Sequence, residues 1–525
     1  MELFRHSVGR LILICCFYSG ISLAQEVPIN WGPLEAQPGF LLDVLPIRSG
    51  DFYTIRYTGG LLGSYKSTVH NQLAFVSQNR IKPLTENGIG TIDGATYFAG
   101  KLRVFVSDKS NGVMSLFCQT NEDDGSINSQ LCISYSDTKI GAKPNFQFAQ
   151  SQNGKFLAIY YDIPGRKENR DVYGYVVFDS TFTQIQQGEY MLPYDGNMTT
   201  INEHHITNQG NYLLVITEHK DKNDRFFGRE WENFKALHVY RIANDSLTSF
   251  NVALQDKRID DILISSNENQ QVVMTGLYGE GNRLGLQGVF TMNVDLEKDS
   301  ITGYQYAAFN QEILQESRTE QQMSRLERRW EQRDESPQIY SYKLRQIQSL
   351  SDGSQVGFME QYYERKYSNY DTRTGITTVV YYYYYMDIVA FKLDKNGAFL
   401  WGKRIPKNQV SMNDNGPFSS FIACNNDQQA YVIFNDNKRN YDEDGIFDST
   451  PNALNGLSLS NRKNVVALAK INLATGAIDR TAFFSKKELS AIVIPKQMQI
   501  DWKNKELLMY AINRNREKFG ILSFK

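Results

Sequence analysis

Histidine gives this chain little material for metal binding or acid–base catalysis. The sequence has six histidines, and two of them adjoin in Glu203-His204-His205. Neighbouring side chains on a strand point to opposite faces, so the two imidazoles cannot reach one zinc ion without a bulge. We therefore expect no zinc site here.

Oxygen ligands of the kind that calcium prefers gather late in the chain. They lie at residues 435–437 and 442–445 and at Asp448. Their spacing matches no EF-hand loop, and Asn- and Asp-rich turns are common because these side chains bond to their own backbone. We expect no cofactor, with calcium as the alternative.

Other catalytic signatures are weak. The glycines between Gly279 and Gly285 lack the order of a nucleotide-binding loop, and no Gly-x-Ser-x-Gly nucleophile elbow occurs. Carboxylates are numerous, but the sequence singles out no glycosidase pair. It predicts no catalytic residue and favours a protein without enzymatic activity.

Aromatic residues are the strongest candidates for a binding surface. They are Tyr362, Tyr363, the five tyrosines at 381–385, and Trp401. Alternation along a strand puts the odd-numbered tyrosines of that run on one face and the even-numbered ones on the other. Such rings either pack between sheets or, at a rim, stack on sugars or anchor a protein. The surface candidates are Tyr362, Tyr363 and Tyr383.

A helical insertion interrupts the β pattern at about 311–335. Met323, Leu326 and Trp330 form part of a narrow apolar stripe at helical spacing. These three residues are candidates for docking a partner. The alternative is a helix laid over the edge of a sheet of its own chain.

Cys118 and Cys132 are placed symmetrically about Gly125, in what reads as a hairpin tip. In that register they face each other, and an exported protein meets an oxidising compartment. We predict a cross-strand disulfide that contributes roughly 2–3 kcal/mol, with a reduced buried pair as the alternative. Cys424 is expected in the core.

The N-terminus indicates export. Residues 1–24 combine arginines, a short apolar run and Ser22-Leu23-Ala24, which is the pattern of a signal peptide. The mature chain, 25–525, contains no apolar run long enough to cross a membrane. The 56 basic and 58 acidic residues of the whole sequence nearly cancel, which argues against nucleic acid as a partner. The expected location is the periplasm or the cell surface.

A turn followed by a short β-rich run recurs eight times along the mature chain. Clear examples begin at Gly50, Gly100, Gly154, Gly210 and Gly353. This repetition predicts an all-β fold, a single closed β-propeller of eight four-stranded blades, with seven as the alternative. An unpaired N-terminal strand would complete the last blade and remove a sheet edge.

The sequence also resembles a known family. Residues 351–353, 360–363, 387–409 and 434–440, with Trp31-Gly32, are similar to exported β-propeller proteins of Bacteroidetes. The resemblance covers nearly all of the mature chain. It implies a propeller fold and an envelope location, and it carries over no catalytic residue.

Two functional hypotheses follow. The first is a non-catalytic propeller that acts as a protein-interaction scaffold, with an envelope protein as its partner. By association with that bacterial group, its specific form is an accessory of an outer-membrane barrel complex for secretion or uptake. The second is a glycan- or ligand-binding propeller, or a glycoside-active enzyme, which predicts an aromatic platform beside clustered carboxylates at the central pocket.

Overall fold

The structure is a computed structural model that describes residues 28–525 with internal gaps. The gaps are 38, 60–62, 123–125, 137–144, 164–169, 196–197, 223–229, 244–245, 253, 255, 267–270, 281–283, 316–319, 333–335 and 449–453. The predicted signal peptide, 1–24, lies outside the described residues.

The first half of the described chain is a succession of short antiparallel strands. Two brief strands begin it, β1 Ile29–Trp31 and β2 Glu35–Ala36. Sheet 1 contains β3 Phe40–Arg48, β4 Asp51–Tyr57, β5 Tyr65–Asn71 and β6 Ala74–Ile81. A small hairpin follows, β7 Leu84–Thr85 with β8 Gly88–Ile89. Sheet 2 contains β9 Thr91–Phe98, β10 Lys101–Ser110, β11 Val113–Asn121 and β12 Ile127–Ser136. Sheet 3 contains β13 Asn145–Gln150, β14 Leu157–Ile163, β15 Arg170–Phe178 and β16 Gln184–Asp195.

The second half continues in the same way. Sheet 4 contains β17 Thr199–Ile206, β18 Tyr212–His219, β19 Phe234–Ala243 and β20 Ser246–Asn251. Sheet 5 contains β21 Lys257–Ser266, β22 Gln271–Glu280, β23 Leu286–Asp295 and β24 Ser300–Ala308. Sheet 6 contains β25 Tyr342–Ser349, β26 Gln355–Asp371, β27 Ile376–Leu393, β28 Phe399–Ile405 and β29 Gln409–Met412. Sheet 7 contains β30 Ile422–Asn425, β31 Gln429–Asn437, β32 Asn464–Asn472 and β33 Ile478–Ser485. Sheet 8 contains β34 Ile492–Val493, β35 Gln499–Asp501, β36 Glu506–Asn513 and β37 Arg516–Ser523, together with β1 and β2.

Among the described residues, the hydrophobic core is divided into eight clusters, of which seven lie between consecutive sheets and one lies between sheets 8 and 1. The cluster between sheets 3 and 4, for example, contains Tyr175 and Leu214. One cluster joins the two ends of the series, because Phe52 of sheet 1 packs with its ring centroid 4.6 Å from that of Phe519 in sheet 8. Each sheet is therefore covered by its neighbours on both sides. A succession of four-stranded sheets packed in this way is the pattern of β-propellers.

Burial on both faces explains the sequence of the second strand in each sheet. In β18, the run Tyr212–Thr217 is buried throughout and apolar except for its last residue. A strand covered on both faces reads as a continuous apolar run rather than as an alternating one. These are the runs that follow the recurrent turns in the sequence.

A β-bulge recurs in the first strand of five sheets. It leaves one residue out of the ladder with the second strand in each case: Leu42, Asp93, Asn202, Asp261 and Arg345. A bulge bends its strand and redirects a side chain. Four of the five residues are polar, and Asp261 links two sheets by accepting from the Leu344 N–H at 3.2 Å.

The N-terminal strand completes the last sheet, which confirms that prediction. β1 pairs antiparallel with β37, and Trp31 stands opposite Gly520. A Cβ at Gly520 would lie 2.6 Å from the Trp31 ring, so only glycine fits there. The two ends of the described chain are thus joined by backbone hydrogen bonds.

The helical insertion is confirmed, but its apolar stripe is not free. It consists of α1 Gln311–Gln315 and α2 Glu320–Gln332. Met323 and Trp330 are 5% and 4% exposed, and Leu326 is half-buried. Two of the three residues are therefore largely buried, and their docking of a partner stays a prediction.

The remaining helical segments are short. In the part of the chain that the structure describes, they are α3 Lys486–Leu489 and three 3-10 turns at Glu230–Asn233, Lys438–Asn440 and Pro495–Gln497. A search of the described residues finds no helix with the length and apolarity needed to cross a bilayer.

The cysteine register differs from the predicted one. Cys118 stands opposite Gln130, and a bulge between Leu131 and Ile133 leaves Cys132 out of the ladder. Direct facing is therefore wrong. The bulge nevertheless brings the two buried thiols into hydrogen-bond contact, and both are free cysteines in this structure. The disulfide stays a prediction. Cys424 is fully buried, as expected.

Candidate interaction surface

Sheet 6 carries a hairpin that extends beyond the rest of the sheet. β26 and β27 continue pairing from Tyr362↔Tyr385 to Asp371↔Ile376, after β25 has ended its ladder at Gln361. We call residues 362–385 the arm. Ten residues per strand at about 3.3 Å each give it a length of about 30 Å.

The arm is covered along only part of one edge. β29 pairs with β27 over Tyr382–Tyr385. In the part of the chain that the structure describes, β26 from Tyr363 to Asp371 has a ladder with β27 alone. The side chains of Tyr367 and Tyr370 are 50% and 60% exposed.

One face of the arm carries a continuous series of rings with a guanidinium among them. We call Tyr363, Arg365, Tyr367, Tyr382 and Tyr384 the tyrosine–arginine ladder. The rings of Tyr363 and Tyr384 stack with centroids 4.6 Å apart, and those of Tyr367 and Tyr382 meet edge to face at 5.4 Å. The Arg365 guanidinium lies 5.4 Å and 5.5 Å from the centroids of the stacked pair.

The opposite face of the arm is less continuous. Tyr362 and Tyr385 pack at 4.8 Å at its base, and Lys366 lies 5.8 Å from the Tyr381 ring further out. The phenol of Tyr362 donates to Glu364 on the same face. This face therefore mixes a carboxylate with its rings.

A buried ionic network fixes the base of the arm. The Lys407 ammonium is fully buried and donates to Glu360 Oε1 at 2.9 Å, to the Tyr385 carbonyl at 2.9 Å and to Gln409 Oε1 at 3.0 Å. Burial lowers the pKa of Lys407, and Glu360 opposes that effect. The second Glu360 oxygen accepts from Ser420 at 2.9 Å. Because every donor of the ammonium is used, the start of the arm is held in one position.

Two further cations hold the rings at the base. The guanidinium of Arg345 pairs with Glu360 at 3.0 Å and lies 5.2 Å from the Tyr362 ring. The ammonium of Lys496, from the turn before β35, donates to the Tyr385 hydroxyl at 2.7 Å. Sheets 6 and 8 thus both support the arm.

The predicted aromatic candidates divide between the two faces. Tyr362 and Tyr383 lie on one face of the arm and Tyr363 on the other, within the ladder. Trp401 lies in the core between sheets 6 and 7, and its indole donates to the Leu473 carbonyl at 3.2 Å. The sequence analysis did not identify Arg365, Tyr367, Tyr382 and Tyr384 as one set. Strand alternation alone places Arg365 and Tyr367 on one face of β26, and Tyr382 and Tyr384 on one face of β27.

The two adjacent histidines point to different sheets, as strand geometry predicts. His204 bonds through Nδ1 to the Tyr173 hydroxyl at 2.9 Å, and His205 Nε2 lies 3.0 Å from Ser266 Oγ in sheet 5. Burial lowers the pKa of His204 to about 3 and that of His205 to about 4. Both rings are neutral at pH 7 and serve contacts between sheets.

The candidate calcium ligands are engaged separately. Asp436 is buried and accepts from Asn440 at 2.9 Å, from the Tyr441 hydroxyl at 2.7 Å and from Arg480. Asp442 accepts from the Ile446 N–H at 2.8 Å and so closes its own turn. Among the described residues, no group of three or more His, Cys, Asp or Glu side chains is placed to hold a metal ion.

Comparisons with known proteins give low similarity. No protein-family model matches this chain, and no curated protein gives a significant match. Among solved structures, the chain is similar to the WD40 domain of SCAP from fission yeast, with 8% identity, a TM-score of 0.36, and coverage of 95% of this chain and 94% of that one. It is similar to the β-propeller domain of the Trilobed protease from Pyrococcus furiosus, with 9% identity, a TM-score of 0.31, and coverage of 70% and 97%. It is also similar to prolyl oligopeptidase B from Galerina marginata, with 9% identity, a TM-score of 0.37, and coverage of 93% and 55%. Scores of this size carry no argument about what this chain does.

Proposed function

We propose that this chain is a closed, eight-bladed propeller of the periplasm or cell surface, and that it acts as a protein-interaction scaffold. The core cluster between sheets 8 and 1 and the pairing of β1 with β37 support closure. The signal-peptide pattern and the family resemblance support the location. A fold alone does not fix a function, so the proposal depends on the arm.

The observation that carries the proposal is the tyrosine–arginine ladder on the arm. Tyrosine and arginine are enriched among the residues that dominate binding energy at protein interfaces. Ring stacking already orders Tyr363 and Tyr384, so less side-chain entropy is lost when a partner covers them. The arm is rigid at its base and exposed at its tip, which suits an element that reaches a second protein.

The partner in this proposal is an envelope protein, and an outer-membrane barrel complex is its expected setting. The resemblance to exported propellers of Bacteroidetes supports that setting. The ladder adds the chemistry: a partner that presents aromatic or aliphatic side chains to the rings and an acceptor to Arg365.

The test is purification of the tagged protein from its own envelope in mild detergent, followed by mass spectrometry. The informative variant replaces Tyr363, Arg365 and Tyr367, the part of the tyrosine–arginine ladder on β26, with threonine, which suits a strand and leaves β27 and its β29 ladder unchanged. We expect the wild-type chain to recover one envelope protein in stoichiometric amount and the triple variant to lose it. Undiminished recovery by the triple variant, or no partner with the wild-type chain, contradicts the proposal.

Two neighbouring substitutions provide a matched control. Arg365 and Lys366 are both exposed and differ in the face of the arm that they occupy. Arg365→Ala is expected to lower partner recovery at least about tenfold, the effect of losing about 1.4 kcal/mol. Lys366→Ala removes the same charge from the opposite face and is expected to leave recovery unchanged.

A further inference from the structure

A cavity of about 590 Å³ lies between sheet 8 and the segments next to sheet 7. Sheet 8 contributes β34, the end of β36, the start of β37 and the turn that joins the last two. The other walls come from Phe418, before β30, from Asn461, before β32, and from Lys486, after β33. The volume is within the range of small-molecule sites. None of the described lining residues belongs to the arm.

The charge of the cavity wall is positive. Lys486, Arg514 and Arg516 line it, and no aspartate or glutamate is among the described lining residues. Three cations without an acidic group in the same wall create a positive potential in a partly enclosed space. An anion is therefore the charge that this space attracts.

The charges of these three cations are not neutralised within the described chain. The Lys486 ammonium donates to the Leu459 carbonyl at 2.8 Å, and Arg516 Nη2 donates to the Leu34 carbonyl at 3.1 Å. Both acceptors are neutral, and among the described residues none of the three cations forms an ion pair. The two carbonyls therefore position Lys486 and Arg516 and leave most of their N–H donors for a ligand.

The rest of the wall is largely apolar and already formed. Ile492 is buried, and Ile512, its partner in the β34–β36 ladder, is half-buried, as is Phe418. The side-chain amide of Asn513 donates to the Ser490 carbonyl at 2.8 Å and so fixes the end of β36. A preformed wall binds a ligand without ordering itself first.

We propose that this cavity binds a phosphate monoester that carries an apolar group. The phosphate lies among Lys486, Arg514 and Arg516, and the apolar group packs against Phe418 and Ile512. A phosphate monoester carries a charge of about −1.5 to −2 at pH 7, so it matches three cations better than a carboxylate does. This activity goes beyond the scaffold function and does not depend on the arm.

The test is isothermal titration calorimetry of the mature protein with phenyl phosphate and three reference compounds. Phenol lacks the phosphate, inorganic phosphate lacks the ring, and benzoate has a carboxylate in place of the phosphate. We expect phenyl phosphate to bind with a Kd of about 1 mM or lower and phenol to bind at least about tenfold more weakly, with the other two in between. The proposal is overturned if phenyl phosphate does not bind, or if any reference compound binds as tightly.

A phosphate monoester can be a free small molecule or the headgroup of a lipid. Co-sedimentation of the protein with phosphatidylcholine vesicles, with and without phosphatidic acid, distinguishes these two sources. Co-sedimentation only in the presence of phosphatidic acid identifies a lipid headgroup. Binding of phenyl phosphate without any co-sedimentation identifies a free ester.

Two matched variants locate the binding. Arg514 has a φ of +57°, a left-handed conformation that asparagine adopts more readily than arginine, so Arg514→Asn is expected to fold. We expect it to weaken the binding of phenyl phosphate about tenfold or more. Lys486→Gln is the second variant, to be used if the first does not fold.

Lys505→Asn is the control, because Lys505 has a φ of +53° at the other end of β36 and is not among the described lining residues. It removes the same charge from the same kind of turn position. We expect Lys505→Asn to bind phenyl phosphate as wild type does. Equal weakening by the control and the cavity variant, or no weakening by the cavity variant, shows that the cavity is not the site.

Discussion

Arg56 and Glu517 lie 461 positions apart in the chain and form an ion pair with 2.6 Å between Arg56 Nη2 and Glu517 Oε1. Their side chains are 0% and 3% exposed. The Tyr510 hydroxyl donates to the other oxygen of Glu517 at 2.9 Å. This pair joins sheet 1 to sheet 8 and is therefore a contact between the two ends of the series of sheets.

Removing one partner of this pair is expected to be costly. Arg56→Met leaves the Glu517 carboxylate buried without its cation, which typically lowers the free energy of unfolding by about 3–5 kcal/mol. The double variant Arg56→Met with Glu517→Leu should recover most of that loss, because an apolar pair of similar size needs no charge balance. Urea unfolding of Arg56→Met, of Glu517→Leu and of the double variant measures the loss of stability and its recovery. Equal stability of wild type and Arg56→Met would show that sheets 1 and 8 are not joined in this way.

A second buried ion pair supports the arm. Lys407→Met leaves Glu360 without one cation and the Tyr385 carbonyl without a donor, so a loss of about 3–5 kcal/mol is expected. Lys403→Met is the control, because its 2.6 Å bridge to Glu312 is partly exposed and such bridges contribute about 1 kcal/mol or less. Backbone hydrogen exchange of residues 381–385 should also become faster in Lys407→Met and should not change in Lys403→Met. Equal losses in the two variants would contradict this account of the network.

Cys118 and Cys132 are expected to be joined if the protein is exported to an oxidising compartment, as proposed above. The hydrogen bond from Cys132 lowers the pKa of Cys118, and Arg103 Nη1, 3.9 Å from its sulfur, has the same effect against the opposing influence of burial. A thiol with a lowered pKa is the more ready nucleophile for disulfide exchange. Closing this loop should stabilise the fold by about 3 kcal/mol. Peptide mapping without reduction is the measurement, and recovery of both cysteines fully alkylated from freshly unfolded protein would refute the bond.

Glu203 should make stability fall as pH rises. Burial raises its pKa from 4.5 to about 7 in the folded chain. The folded state therefore binds this proton more tightly than the unfolded state, and its contribution is complete below pH 4.5 and lost as pH rises through 7. Glu203→Gln removes that dependence, so the variant should gain up to about 3 kcal/mol over wild type between pH 5 and pH 8. Urea unfolding at pH 5 and pH 8 measures this gain in the free energy of unfolding. If Glu203→Gln and wild type differ in stability by the same amount at both pH values, the raised pKa of Glu203 is contradicted.

Much of the fold follows from the sequence because the physical signal is local. The apolar run Tyr212–Thr217 indicates a strand that is covered on both faces. The unpaired segment at Ile29–Trp31 supplies the strand that the last sheet lacks. The bulges are different. Cys118 and Cys132 are symmetric about Gly125, but the ladder next to the tip, which begins at Asn121↔Ile127, is centred one position earlier. Cys118 therefore faces Gln130 already before the bulge at Cys132, and no periodicity reveals either the register or the bulge.

The candidate surface was less predictable, because a periodic pattern identifies a face and not what covers it. The stripe of Met323 and Trp330 is compatible with a docking surface and with a buried face, and these two residues are buried. The tyrosines at 381–385 are compatible with core and with surface, and Tyr385 is buried while Tyr381 is 39% exposed. The length of β26 and β27 beyond their neighbouring strands decides between these alternatives, and that length depends on tertiary pairing.

Site-specific photo-crosslinking tests the central claim, that the tyrosine–arginine ladder contacts a partner. Tyr382 lies within the ladder, and Tyr381, the adjacent residue, lies on the opposite face of the arm. Each is replaced in turn by p-benzoylphenylalanine, and intact cells are irradiated. The account predicts one discrete crosslinked envelope protein from position 382 and a much weaker product from position 381. Equal crosslinking from both positions, or none from position 382, would contradict it.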